Sequence, residues 1–339
     1  MKNIFLLLML SFLYLGSSCS EPVKRSGNEI LMFYNVENLY DTINDPLKND
    51  EDFLPSAPYN WNTEKYNKKI SDLAKVITSL GNPLLPAVIG LAEIENKTVL
   101  EDLVGNKMLK KGKYKIIWKE SPDERGIDCG FLYNPSVFSP EKTEFISVTI
   151  ENDEAFKTRD VIYVKGKLKK EDFHIFINHW PSRRTGKNET DFKRNLVAQI
   201  VKNKVDSIYK NNNTPNIVIM GDLNDEPSDE SISKVLGAVP NNKNIGSEKL
   251  VNLMYDEYER GEGSHNNRGD WSVLDNIIVS GYLLEKKEGL KTDRKNGFIF
   301  HMPFMEYVND KGEMSPNRTY GKNYYGGISD HFPVYLILK

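Results

Sequence analysis

Two short stretches carry polar side chains that are costly to bury unless they do chemistry. In NIVIMGDLND, residues 216–225, four apolar residues run into Gly221, Asp222, Leu223, Asn224 and Asp225, which reads as a buried strand leaving its sheet through polar groups. Residues two apart in extended chain share a face, so Asp222 and Asn224 are expected to project together while Leu223 turns back to the core. A carboxylate beside a carboxamide there calls for a cation, a water or a phosphate. The second stretch is Asp330-His331, which opens the apolar run HFPVYLIL. Neighbours in extended chain point to opposite faces, so the His331 ring must take its orienting carboxylate from elsewhere. Asp275, the acid within WSVLDNIIV, is the natural partner. Such a pair fixes the tautomer and favours the imidazolium.

Other apolar runs also end in polar groups: EILMFYNVEN at Asn35, LLPAVIGLAEIE at Glu93 and FHIFINHW at Asn178-His179. Side chains from several strand ends converge only if the strands share one sheet or two packed sheets. Carboxylates and amide oxygens, with no cysteine and no His-x-x-x-His pair among them, favour Mg²⁺ over zinc. Mg²⁺ keeps several waters and takes one or two carboxylates, so Glu93 suffices, with Asn35 or Asp330 completing the shell. Arg183, Arg184 and Lys187 directly follow NHWPS, where they read either as a solvated loop or as phosphate ligands. Arg125 in RGID and Arg318 in NRTYG read the same way.

The elements that must position these groups are spread over the whole chain. At 339 residues, 39% hydrophobic and 27% charged, the sequence suits one large domain. No repeat or Pro/Gly/Ser-rich linker divides it. The net charge of -3 provides no overall attraction to a polyanion, so any nucleic-acid contact must rest on a local basic patch. Residues 1–18 read as an export signal. Leu15 to Cys19 resembles a bacterial lipoprotein processing site, with Cys19 as the lipidated residue and simple secretion as the alternative. Residues 19–28 read as a polar tether, leaving 29–339 as the folded domain. With Cys19 acylated, Cys129 has no partner, and the fold must stand without disulfides. Helices are expected over 63–80, 98–109, 190–209 and, behind a Ser cap, 228–236, and the remaining apolar runs read as strands.

In their order, FYNVEN, LAEIEN, GIDCGFLYNP, NHWPSR, GDLND, LDNIIV and SDHFPV resemble the endonuclease/exonuclease/phosphatase superfamily, from about Ile30 to Leu338. The resemblance implies an α/β four-layer αββα sandwich, two packed and mostly antiparallel sheets flanked by helices. It implies Asn35, Glu93 and Asp330 at an Mg²⁺ (or Mn²⁺) ion and Tyr133 on a phosphate oxygen. It puts His179 at the phosphate or leaving group, has Asp222 and Asn224 align the attacking water, and has Asp275 orient His331. Whether Asp222 or His331 takes the water's proton stays open. The expected protein is an exported, monomeric, metal-dependent phosphodiesterase, a nuclease before other readings, touching the membrane only through lipid on Cys19. The alternatives are a sugar or inositol phosphomonoesterase and a sphingomyelinase-type lipid hydrolase; a non-catalytic binding protein fits the intact residue set less well. A nuclease calls for a basic, aromatic-edged groove. A lipid enzyme calls for an exposed apolar hairpin, for which GFIFHMPFM, with Phe298, Phe300, Phe304 and Met305, is the candidate.

Overall fold

The computed structural model describes residues 28–81, 85–242, 246, 247 and 249–339. The expected signal segment and the lipid site at Cys19 lie outside the described residues. The first half of the chain runs β1 (Glu29–Leu39), α1 (Thr63–Leu80), β2 (Val88–Ile94), α2 (Lys97–Gly105), β3 (Lys115–Ile117), β4 (Asp128–Tyr133), β5 (Phe138–Ile146), β6 (Val161–Leu168) and β7 (Glu171–His179). After α3 (Lys187–Asn211) come β8 (Asn216–Asp222), β9 (Ala238–Pro240), β10 (Leu250–Asn252), α4 (Tyr255–Glu259), β11 (His265–Asn267) and β12 (Asp270–Ser272). The chain closes with β13 (Asp275–Ser280), α5 (Tyr282–Glu285), β14 (Gly297–Ile299), β15 (Glu306–Val308), β16 (Met314–Pro316) and β17 (Val334–Leu338).

The strands build a six-stranded sheet, ordered β14-β17-β1-β2-β4-β3, and a seven-stranded sheet, ordered β5-β6-β7-β8-β13-β10-β9. Strand alternation explains how they stack. Ile30, Met32, Tyr34 and Val36 of β1 join a core with the apolar stripe of α1 (Ile70, Leu73, Ile77, Leu80), while Leu31 and Phe33 face the other way into a second core. On β8, Val218 and Met220 enter that same second core, and Ile217 and Ile219 face Val197, Val201 and Val205 of α3. Three cores therefore separate four layers, helix, sheet, sheet, helix, and strands buried on both faces read as continuous apolar runs.

Each sheet is antiparallel except for β1–β2, β7–β8 and the short β9–β10 pair, and a long helix crosses between the strands of the first two. α1 lies between β1 and β2 in the chain and α3 between β7 and β8, and both strand pairs are parallel. A parallel pair brings both carboxyl ends to one edge. β13 and β17, antiparallel to β8 and β1, start at that edge.

The structure differs from the sequence reading in several places. β5 carries the polar run SPEKTEF and was unexpected; as an edge strand it has one partner, β6, and much of it is exposed. β9 and β10 lie in a region that reads as loop, because three residues are too few to display a period. Phe300 and Met305 are buried beside α1, and Phe298 stacks on Tyr335, so GFIFHMPFM closes the core and is no exposed apolar hairpin.

Gly221 is the position in β8 where a side chain has no room. A Cβ there would meet the backbone oxygen of Asn178 at 2.4 Å, on the neighbouring strand β7. Because that obstacle is main chain, Gly221→Ala is expected to lower stability by about 1–3 kcal/mol and to displace Asp222. Gly105→Ala, with open space around it, should be tolerated. Urea unfolding of both variants checks this; equal midpoints would refute it.

Candidate active site

The edge where the parallel pairs end gathers side chains from both sheets. Asn35 Nδ2, leaving β1, donates to Asp222 Oδ2 at the end of β8 at 3.0 Å. His179 Nε2, ending β7, lies 3.8 Å from the same oxygen and 3.9 Å from Glu93 Oε1. His331 Nε2 is also 3.8 Å from Asp222 Oδ2, while its Nδ1 lies 2.7 Å from Asp275 Oδ2. Asp330 Oδ1 is 4.0 Å from His331 Nε2. Asn178 turns away, donating to Met220 O and accepting from Trp180 Nε1.

Local backbone irregularities aim these groups. Glu93 has φ 66° where the β2–β4 register shifts, and Glu37 and Asn38 have φ 51° where the β1–β2 register shifts. Such bulges re-aim side chains at a strained conformation. Glu93 Oε2 accepts the Asn38 N–H at 2.8 Å, tying the two bulges together. Asp222 and Asn224 do not share a strand face: β8 ends at Asp222, and Asn224, at φ 49°, donates its N–H to Asp222 Oδ1 at 2.9 Å. A short side-chain turn holds the pair. Asn224 Nδ2 then donates to Trp180 O, and Ser264 Oγ donates to Asp275 Oδ2 at 2.6 Å.

The surroundings set different protonation states. Burial opposes charge on His331, but Asp275, Asp222 and the Asp275 hydrogen bond outweigh it and hold the imidazolium well above its ordinary range. His179 goes the other way: burial, then Arg159, Arg125 and His331, push it well below, so this ring is neutral. Its Nδ1 is buried without a partner. Burial, with Asp275 adding to it, raises Asp222 to about 7 against the pull of His331 and Asn35.

Other expected residues fall in different places. Tyr133 is not brought to this edge, which corrects the role the resemblance implied. β4 runs antiparallel to β2, so Asp128 lies beside Ile94 and Tyr133 beside Val88, at the opposite edge, where it packs on Phe131 and Phe138. Arg125 is near the site, its charge acting on both Glu93 and His179. Arg183 serves the turn after β8: Nε donates to Asn224 O, and Nη2 to Asp225 at 3.0 Å and Asp229 at 2.6 Å. Arg318 Nη2 contacts Asp330 Oδ2 at 3.1 Å and Glu37 Oε1 at 3.2 Å.

Glu93, Asp222, Asp275 and Asp330 face the His331 imidazolium, the Arg318 guanidinium beside Asp330 and the Arg125 charge near Glu93, and a divalent cation would offset the carboxylate that remains in excess. Among the described residues, the acidic and imidazole groups close enough to share an ion are Asp222, Asp275 and His331, and His265, Asp330 and His331. Glu93 belongs to neither set. One carboxylate with the Asn35 amide and retained waters still suits a hard ion such as Mg²⁺.

Sequence reasoning passed over several supports. Arg194 is fully buried on α3, with Nε 2.8 Å from Asp225 Oδ1 and Nη1 donating to Thr190 Oγ1 and Pro181 O. Lys69 is buried on α1, with Nζ donating to Glu37 O at 2.6 Å, Thr319 Oγ1 at 2.7 Å and Ile328 O at 3.3 Å. Both cations sit on apolar stripes, Lys69 one turn before Leu73 and Arg194 three residues before Val197, and that misplacement was a readable signal. His265, whose ring lies 4.8 Å from that of His331, gave no such signal. Arg194→Met leaves Asp225 with Arg183 and Ser231 as its remaining partners and is expected to cost about 1.5–3 kcal/mol, with a fall in turnover as the turns carrying His179 and Asn224 loosen. Denaturant midpoints and kcat would check this, and a variant matching the parent in both would refute it.

A model of the endonuclease/exonuclease/phosphatase family matches residues 30–339. No curated protein matches the sequence. Among solved structures, humanized TDP2 of D. rerio superposes with a TM-score of 0.58 at 13% identity, covering 93% of this chain and 100% of that one. D. rerio TDP2 complexed with single-strand DNA product gives 0.57 at 14% identity, covering 93% and 100%. A mannosyl-6-phosphatase of Bacteroides thetaiotaomicron gives 0.57 at 15% identity, covering 92% and 99%. At such identities the superpositions speak for the fold, and the family model, spanning nearly all of the described chain, identifies the protein as a member of the endonuclease/exonuclease/phosphatase family.

Proposed function

We propose that the protein is an exported, Mg²⁺-dependent phosphodiesterase that cleaves nucleic-acid esters by in-line attack of water. The observation that carries this reading is the convergence on Asp222 Oδ2 of Asn35, His179 and a His331 ring held by Asp275. A phosphodiester needs its charge offset, a water placed in line and a leaving oxygen stabilised. The His331 imidazolium, kept charged by Asp275, offsets phosphoryl charge. Asp222, near pH 7, accepts the water's proton, and Asn224 Oδ1, with its Nδ2 spent on Trp180 O, orients that water. Neutral His179 donates a hydrogen bond to a phosphoryl or leaving oxygen. Mg²⁺ held by Glu93, with Asn35 or Asp330, would supply Lewis-acid stabilisation of the same charge.

A cleft of about 560 Å³ favours a polyanion, for its lining sets Arg125, Lys157, Arg159, Arg184 and Lys193 against Glu124 and Asp153, with Phe156 among them. It adjoins the site through Arg125 and supplies the local basic patch that the net charge of -3 does not. The D. rerio TDP2 complex with single-strand DNA product offers a precedent for such a substrate on this fold.

The test is hydrolysis of bis-p-nitrophenyl phosphate and of DNA with Mg²⁺, repeated in excess chelator, where activity should vanish. Asp275→Asn and His331→Ala should each lower kcat/KM by orders of magnitude, and the double variant should lose little more than the worse single one, because the pair acts as a unit. The sign of the pH effect follows from the raised His331: the parent should stay active well above pH 6.5, and Asp275→Asn, lacking the charge that raises the imidazole, should lose activity at lower pH. Multiplicative losses, or turnover in chelator, would sink the reading.

Export and lipid attachment at Cys19 belong to the same proposal. The chain enters the domain at Glu29, six residues before Asn35 and thus about 20 Å along the strand from the site. Cys19→Ser is expected to release the protein from the membrane fraction with unchanged turnover, and an unchanged membrane fraction would refute the anchor.

A further inference from the structure

β11 lies against the chain just before β17 in a register that sets two imidazoles side by side. His265 and His331 are opposite one another in an antiparallel bridge, and beside them the Phe332 N–H donates to Ser264 O at 2.7 Å. Opposite residues of an antiparallel pair project from one face with Cβ atoms about 5 Å apart, and these two ring centres are 4.8 Å apart. Asp330 supplies a third polar group. Its Oδ1 lies 4.0 Å from His331 Nε2, and a ligand atom from each of the three residues falls within 4.8 Å of the other two.

Packing does not require an imidazole at position 265. A phenyl ring would cover His331 equally well, and among the described residues no side chain hydrogen-bonds the His265 ring. The other two donors are aimed from behind. Asp275 Oδ2 holds His331 Nδ1 at 2.7 Å and leaves Nε2 to face the group, while Arg318 Nη2 holds Asp330 Oδ2 at 3.1 Å and leaves Oδ1. A carboxylate on the far nitrogen of a histidine is the usual support of a metal-bound imidazole. Two imidazole nitrogens and one carboxylate oxygen suit zinc, with water in the fourth position. A tetrahedral ion with bonds of about 2.0–2.2 Å needs its ligands about 3.3–3.6 Å apart, so the half-buried His265 and Asp330 have only to swing inward. Glu93 and the Asn35 amide are oxygen donors outside this group and stay available to Mg²⁺.

We propose that His265, Asp330 and His331 form a zinc site, distinct in its ligands from the Mg²⁺ position, through which Zn²⁺ switches the enzyme off. The ion takes the His331 Nε2 lone pair, and the ring proton passes to water. Nε2 then has no hydrogen to offer a phosphoryl oxygen, and the ion with its water fills the space in front of the ring. The switch rests on the phosphoesterase reading above, in which His331 faces phosphoryl charge; the binding site does not.

Binding and inhibition are tested separately. Co²⁺ in a four-coordinate site with nitrogen ligands absorbs strongly in the visible, whereas a six-coordinate ion among oxygen donors absorbs weakly. The parent should give the strong band and lose it on addition of one equivalent of Zn²⁺. His265→Phe, which keeps a ring against His331, and His265→Gln, as a second variant, should give no such band, with circular dichroism like the parent's. In hydrolysis of bis-p-nitrophenyl phosphate at fixed Mg²⁺, each protein scaled to its own rate without zinc, the variants should need at least about tenfold more Zn²⁺ for half-inhibition. No strong band in the parent, or a band unchanged in both variants, overturns the site. Equal Zn²⁺ sensitivity of parent and variants means that zinc acts by replacing Mg²⁺ and overturns the switch. A parent that gives the band but hydrolyses no phosphodiester overturns the phosphoesterase reading and the switch with it, and leaves the zinc site standing.

Discussion

One carboxylate oxygen, Asp222 Oδ2, holds the two sheets in register at the edge where they meet. It accepts from Asn35 of the six-stranded sheet and lies within 3.8 Å of His179 and His331. Burying a carboxylate this completely costs several kcal/mol unless neighbours compensate. Much of the surrounding structure is that compensation. The backbone N–H of Asn224 and the Asn35 amide donate to it, and the His331 imidazolium faces it. Gly221 keeps the strand before it close against β7. With these donors in place the carboxylate is still raised to about 7, which leaves it able to gain or lose a proton near neutrality.

Support also comes from the outer layers. Each long helix crosses between two parallel strands and sends one buried cation inward: Lys69 from α1 to the backbone oxygens of Glu37 and Ile328, Arg194 from α3 to Asp225 and Pro181. The loops these cations grip carry Asp330-His331 on one side and His179 and Asn224 on the other. Glu37 completes the first set by accepting from Arg318 Nη2 and from the N–H groups of Thr319 and Tyr320. Breaking either set leaves buried polar groups short of a partner, so local stability and site geometry are coupled by the same contacts.

The two flanks of the site differ in chemistry. Toward Arg125 the surface is a basic cleft, and toward Arg318 it is a tyrosine-lined pocket closed by hairpins.

The sequence by itself determined the layers and several of the side chains that meet at the site edge. Continuous apolar runs in β1, β2, β7 and β8 showed strands buried on both faces, and the spacing of Ile70, Leu73, Ile77 and Leu80 showed a helix covering one of them. Asp275 was legible as the partner of His331 because extended-chain geometry excludes the adjacent Asp330, and the 2.7 Å contact has that form. Only the tertiary structure decided which end of each strand reaches the site. Strand direction depends on long-range pairing, which local pattern does not encode, and the antiparallel β4 therefore carries Tyr133 to the far edge while Asp128 lies beside Ile94. The Asp222–Asn224 pair likewise depends on a turn at positive φ and not on strand alternation. The pocket beside Arg318 was illegible for the same reason: its walls come from segments about 50 residues apart, whose three-residue strands are too short to show a period before packing brings them together.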